Sequence, residues 1–186
     1  MKKEIILSGF GGQGVMSIGK NLVEAGVEEE LEVSWVPSYG PEMRGGTANC
    51  SVILSDERIG SPVVEAPTEV IAMNRPSLTK FEPSVVPGGT VFVNSSIVID
   101  KVQRTDVKAV YVPCDAIAAD LGNPKVGNMV MLGAYIGATK ALKVERDRDG
   151  LTGVGNRLAY EHMLRHKNSH TEEIPGSGFL MCDLND

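Results

Sequence analysis

The run Ile5–Lys20, IILSGFGGQGVMSIGK, constrains this chain more than any other stretch, because a short apolar run breaks into clustered glycines and then into a helical pattern. Gly9, Gly11 and Gly14 stand at G-x-G-x-x-G spacing, with Gly12 added. Glycine at such a turn admits φ > 0 and lets a ligand approach bare backbone, while the free N–H groups of the following helix start favour an anion. A phosphate-bearing ligand on Gly9, Gly11, Gly12, Gln13 and Gly14 is one reading. A tight strand-to-helix turn with no ligand is the other, since the spacing alone does not separate them.

The rest of the chain alternates short strands with helices. Strands are predicted at Lys3–Ser8, Val33–Val36, Ala48–Leu54, Val70–Met73, Thr90–Asn94 and Ala109–Val112. Helices are predicted at Gln13–Glu30, where Val15, Ile18, Leu22, Val23 and Val27 recur at helical spacing, after Arg75 and Pro76 to about Phe81, at Cys114–Leu121 and at Gly127–Leu142. This alternation implies an α/β, Rossmann-like fold: a mostly parallel sheet with helices on both faces. Ligands of such sheets sit beyond the carboxyl ends of the strands, which is where Gly9–Gly14 and the loop Pro37–Gly46 fall. The domain spans residues 1–143, followed by a polar, glycine-rich tail, 144–186, partly helical or flexible.

Composition removes several classes of function. A net charge of −6 without a Lys/Arg stripe argues against nucleic acid, which is bound by releasing counterions to basic patches. No apolar run approaches the roughly 20 residues of a spanning helix, so no membrane partner is expected and the cytoplasm is the default location. Cys50, Cys114 and Cys182 are too far apart for a C-x-x-C ligand pair and too few for a disulfide framework, so this chain is expected to hold no metal or iron–sulfur cluster by itself. His162, His166 and His170 would share one face of a helix and could bind Zn²⁺ or Ni²⁺, but histidines on a solvated or frayed helix are the preferred reading.

A nicotinamide-binding half would place a carboxylate at the end of the second strand, to hold the ribose hydroxyls. That end reads Val36-Pro37-Ser38, with Glu32 before the strand, so a nicotinamide dinucleotide is disfavoured. The next loop, Ser38-Tyr39-Gly40-Pro41-Glu42-Met43-Arg44-Gly45-Gly46-Thr47, sets one guanidinium before two glycines. Arg44 could grip a phosphate or carboxylate through two parallel N–H bonds, or simply pair with Glu42 or solvent on a surface turn.

The run GFGGQG, the loop SYGPEMRGG followed by TANCSVILSD and IGSPV, the segment IAMNRPSLTKFEP, and NMVMLG together resemble the gamma subunits of the 2-oxoacid:ferredoxin oxidoreductases, of the 2-oxoisovalerate and 2-oxoglutarate type. The resemblance runs over about residues 3–143. It implies a multi-subunit enzyme that oxidatively decarboxylates a 2-oxoacid, joins the acyl group to coenzyme A and passes electrons to ferredoxin. It further implies alpha and beta partner subunits that hold thiamine diphosphate, and iron–sulfur clusters on the beta or a delta subunit. On this reading Gly11, Gly12, Gln13 and Gly14 offer backbone N–H groups to coenzyme A, with Ser38, Tyr39, Arg44 and Gly45 from the facing loop and Asn128 from the late helix. No catalytic residue is assigned to this chain, whose first histidine is His162. A non-catalytic nucleotide-binding or assembly module is the alternative.

Other residues carry lesser expectations. Asn74 and Arg75 end a strand at the carboxyl edge and would line the same crevice, and Asn94-Ser95-Ser96 reads either as a second lining segment or as a turn. Trp35 is read as core or subunit interface, and Met43, Met129 and Met131 as packing. Gly133, Ala134, Gly137, Ala138 and Ala141 leave a smooth flank on the late helix that would let another element come close, including a second copy when the chain is isolated. The tail does not follow the resemblance.

Overall fold

Three consecutive apolar residues, Ile5–Leu7, leave the first strand no face for solvent, and the structure places that strand inside the sheet. This is a computed structural model in which residues 1–39 and 47–142 are described. These residues fall into two compact units, Met1–Pro113 and one that begins at Cys114.

The first unit carries β1 (Lys2–Phe10), α1 (Val15–Glu28), β2 (Glu32–Tyr39), β3 (Thr47–Ser55), β4 (Glu69–Ala72), α2 (Arg75–Phe81), β5 (Thr90–Asn94) and β6 (Lys108–Val112). The six strands form one sheet in the order β2-β3-β1-β4-β5-β6. Pairings β1–β4, β4–β5 and β5–β6 are parallel, and β3 pairs antiparallel with both β1 and β2. Five strands therefore run one way and β3 alone runs against them. Its reversal follows from chain length: the seven residues between Tyr39 and Thr47 cannot make a parallel crossover, which takes a dozen or more.

Register decides which side chains share a face, because paired residues point the same way. Ile5 and Leu7 stand opposite Val52 and Cys50, and Trp35 and Val33 continue that row opposite Val52 and Leu54. This face receives α1, whose buried Val15, Ile18 and Leu22 follow the helical period and whose Gly19 and Gly26 let it close on β3. A Cβ on Gly19 would stand 2.7 Å from Cys50 Sγ and 3.0 Å from Trp35 Nε1. The opposite face presents Ile6, Val70, Ala72, Val91 and Val93, and α2 packs there through Leu78 with Val85 and Val98. Each such buried aliphatic side chain stabilises the fold by roughly 1.5–3 kcal/mol. Helices thus lie on both faces of the sheet, and β4 and β5 are buried almost throughout, as inner parallel strands are.

Helix ends depart from the sequence expectation for local reasons. α1 starts at Val15, two residues later than expected, because Gly14 sits in the left-handed region at φ 73°. It stops at Glu28, and Glu30 takes φ 59° as Leu31 N–H returns to Gly26 O at 3.0 Å. Asn94-Ser95-Ser96 is a turn: Ser96 N–H donates to Asn94 Oδ1 at 3.2 Å, and Ser95 N–H to Val112 O at 2.9 Å.

In the second unit, α3 (Cys114–Asp120) packs on α4 (Gly127–Thr139). A 3-10 turn, Pro124–Val126, joins them and is capped by the Asn123 side chain. Gly127 allows the close approach of α4 to Cys114 and Asp115. The helix ends before Leu142 because Lys140 turns to φ 48°. The tail 144–186, with His162, His166, His170 and Cys182, lies outside the described residues.

Candidate anion-binding turn at the switch point of the sheet

From β1 the chain proceeds through α1 toward β2 on one side, and from β4 through α2 to β5 on the other, so the strand order reverses between β1 and β4. The turn after β1 therefore stands at the switch point, where open α/β sheets hold their ligands.

The glycines of this turn serve different ends. Gly9 is buried in β1, and a Cβ there would stand 2.7 Å from Gln13 Oε1 and 3.0 Å from both Met73 Cβ and Val15 Cγ1. Its Cβ position is filled by neighbours within the chain. Gly12 takes φ 97° at the third position of a β-turn that the Gln13 N–H closes onto Phe10 O at 3.1 Å. That bond corrects the expectation for Gln13, whose backbone N–H is committed to the turn. Gly14 is the left-handed N-cap of α1, with no side-chain cap.

What remains open is specific. Gly11 and Gly12 are exposed, and a Cβ added to either would meet nothing within 4 Å. Among the described residues, the N–H groups of Gly11, Gly12 and Gly14 and of the first helical turn, Val15–Ser17, have no partner in the chain. Backbone N–H groups left without partners at a helix N-terminus are partly positive and favour an oxyanion.

The turn is braced from β4. The Gln13 side chain accepts from Phe10 N–H at 2.7 Å and from Asn74 Nδ2 at 3.3 Å, and donates to Met73 O at 3.0 Å. Asn74, fully buried, also caps α2 by accepting from Ser77 N–H at 2.9 Å. Ser8 and Ser77 share a buried hydroxyl bond of 2.8 Å beneath this brace. Next to it, exposed Arg75 pairs with Asp100 at 2.9 Å.

Ser38 is exposed on edge strand β2, in register with Asn49 and through it with Ser8. The backbone of Tyr39 pairs with Ala48, and Thr47 pairs with Phe10, so both ends of the intervening segment meet the sheet at the rim that holds the glycine turn. Two strand spacings put Tyr39 roughly 10 Å from Gly9. Arg44, Gly45, Met43 and the Tyr39 side chain lie outside the described residues. Asn128 is the second residue of α4, half-buried, in the other unit; the N-cap there is Val126. Trp35 is about a third exposed and lies against α1 at Gly19.

Burial pushes the Cys50 thiol up to about 11, against a small opposing effect of its contact with Trp35, and burial beside Asp115 raises Cys114 further. No group of three or more His, Cys, Asp or Glu placed for a metal occurs among the described residues. No described helix is long and apolar enough to cross a membrane.

Fold and turn together define a Rossmann-like α/β domain, with one reversed strand and an open backbone cradle at its switch point. Residues 4–162 match the model of the pyruvate ferredoxin/flavodoxin oxidoreductase family, and the chain belongs to that family. It is 42% identical over 130 residues to the ketoisovalerate oxidoreductase subunit VorA of Methanothermobacter marburgensis, covering 70% of this chain and 27% of that one. The chain thus spans about a quarter of the length of the VorA relatives. It is 37% identical over 148 residues to the 2-oxoglutarate synthase subunit KorC of Methanocaldococcus jannaschii, covering 78% of this chain and 79% of KorC. Among solved structures, the keto/oxoacid ferredoxin oxidoreductase gamma subunit of Geobacter sulfurreducens superposes with a TM-score of 0.65 at 25% identity, over 88% of this chain and 85% of that one. The 2-oxoglutarate:ferredoxin oxidoreductase of Magnetococcus marinus, solved with 2-oxoglutarate, coenzyme A and succinyl-CoA bound, shares the fold with a TM-score of 0.70 at 23% identity, over 94% of this chain and 32% of that one.

Proposed function

We propose that this chain is the gamma-type subunit of a cytoplasmic 2-oxoacid:ferredoxin oxidoreductase. The reaction takes a 2-oxoacid and coenzyme A to acyl-coenzyme A and CO2, and delivers two electrons to ferredoxin. Thiamine diphosphate and the iron–sulfur clusters belong to partner subunits, alpha and beta with or without delta, and supply the decarboxylation and the electron path. This chain forms one wall of the coenzyme A entry. Gly11, Gly12 and Gly14 donate backbone N–H groups to its phosphates, with Ser38, Tyr39, Arg44, Gly45 and Asn128 as further contacts to coenzyme A or to a neighbouring subunit. Without its partners the chain is inactive and pairs with itself.

The observation that carries this reading is the unpartnered, side-chain-free N–H surface at Gly11 and Gly12, on a chain of this family. Gly11 also offers the test. Its φ is not positive and its Cβ position is open, so Gly11→Glu sets a carboxylate at the cradle without a clash. In the reconstituted complex, with 2-oxoacid-dependent reduction of ferredoxin or a dye as the assay, the KM for coenzyme A rises about tenfold, equivalent to about 1.4 kcal/mol. An unchanged KM in an intact complex overturns the proposal.

A further inference from the structure

We infer that Gln13 and Asn74 are positioning residues, which hold the Gly11–Gly12 backbone in its ligand-ready form while touching no ligand themselves. The inference rests on the coenzyme A reading above and concerns what keeps that cradle in shape.

A glutamine amide has one acceptor oxygen with two lone pairs and an NH2 with two donors. Both lone pairs of Gln13 Oε1 are engaged, by Phe10 N–H at 2.7 Å and Asn74 Nδ2 at 3.3 Å, and Nε2 donates to Met73 O at 3.0 Å. The side chain is therefore folded back under the turn, filling the space that a Cβ on Gly9 would claim. With the backbone bond from Gln13 N–H to Phe10 O, the turn is fastened at both ends by one residue.

Asn74 extends the fastening. Its Oδ1 caps the first turn of α2 at Ser77, its Nδ2 holds Gln13, and the neighbouring Met73 N–H bonds Ser8 O at 2.8 Å. The turn after β1 and the cap after β4, 61 residues apart in sequence, are thus one hydrogen-bonded piece. Gly11 and Gly12 have no side chains to restrain them, and glycine has more backbone freedom to lose than any other residue. Freed of the Gln13 clamp, the cradle must be ordered when the ligand arrives, and that cost appears as weaker binding.

The test uses the assembled complex and separates KM from kcat. Gln13→Met keeps the length and removes every side-chain hydrogen bond. Asn74→Ser keeps a good N-cap for α2 but is too short to reach Gln13. Each variant is expected to raise the KM for coenzyme A by 5- to 20-fold, with kcat and the KM for the 2-oxoacid within twofold of the parent. A merely structural role lowers kcat with the folded fraction and leaves both KM values alone, and that result overturns the inference. Should Gln13→Met fail to assemble, Asn74→Ser decides by the same criteria. If Gly11→Glu raises the KM for coenzyme A while Gln13→Met and Asn74→Ser do not, the positioning role falls and the coenzyme A reading stands. If none of the three moves it, the coenzyme A reading falls and takes the inference with it.

Discussion

Four glycines crowd one short motif, yet alanine there should have three different effects on stability. At Gly9 the new methyl meets Gln13 Oε1 at 2.7 Å and two less yielding atoms, Met73 Cβ and Val15 Cγ1, at 3.0 Å. Overpacking of this kind costs about 1–3 kcal/mol. At Gly12 space is not the difficulty but a φ of 97° is, and Gly14 shares that conformation at 73°. A left-handed L-residue loses about 1–2 kcal/mol, partly offset by about 0.4–1 kcal/mol from the stiffer unfolded chain, so each alanine costs on the order of 1 kcal/mol net. At Gly11 neither penalty applies, and the unfolded-state effect alone makes alanine neutral or stabilising by about 0.4–1 kcal/mol. Gly9→Ala and Gly11→Ala should therefore differ by roughly 1–4 kcal/mol although they stand two residues apart. Urea unfolding followed by the fluorescence of Trp35, the single tryptophan and a residue of the first unit, reads these values directly. Gly11→Ala losing more than about 1 kcal/mol, or Gly14→Ala proving harmless, would refute the separation of roles.

Two further outcomes follow from the titrating groups. Hydrogen bonds from the Arg104 Nε and terminal nitrogen hold the Asp106 carboxyl below the usual carboxylate range, so its contribution is present above that range and is lost as pH falls through the depressed value. Asp106→Asn should flatten the acid limb of a Tm-against-pH curve as pH falls below the usual carboxylate range, and parallel curves would contradict it. In a Cys182→Ser background, native protein at about pH 8 should resist thiol-directed reagents at both Cys50 and Cys114 until urea is added. Because the Cys50 thiol is raised to about 11, its contribution is whole below about pH 9 and declines between those values, and labelling of native protein at pH 8 would refute the burial argument.

Strands and helices were legible because the periods were clean. Ile5–Leu7 and Val91–Val93 read as two-sided strands, and Val15, Ile18 and Leu22 as one helical face. The direction of β3 was harder, because alternation along a strand is the same whichever way it runs. The predicted ends, Val36 and Ala48, leave 11 residues between them, close to what a crossover needs, and only the longer strands of the structure, ending at Tyr39 and starting at Thr47, exclude one. The glycine motif announced a turn but not the division of labour within it, since Gly9 and Gly11 look alike until Val15 and Met73 are seen to flank only one of them. The brace was least legible. That Gln13 folds back to Met73 and Asn74 depends on β1 and β4 lying side by side, and the local sequence contains no trace of that pairing.

The place of β1 in the sheet also bears on the order in which the chain can fold. The hairpin β2–β3 is local and can zip early, whereas Lys2 must wait for Ser55, and Ser8 for Ala72. β1 is therefore paired on both edges only once β3 and β4 have both been made. Until then its Ile5-Ile6-Leu7 run is a sticky ribbon, open to other nascent chains. Truncations that stop short of β4 should accordingly aggregate, while changes confined to the hairpin tip leave assembly of the sheet intact.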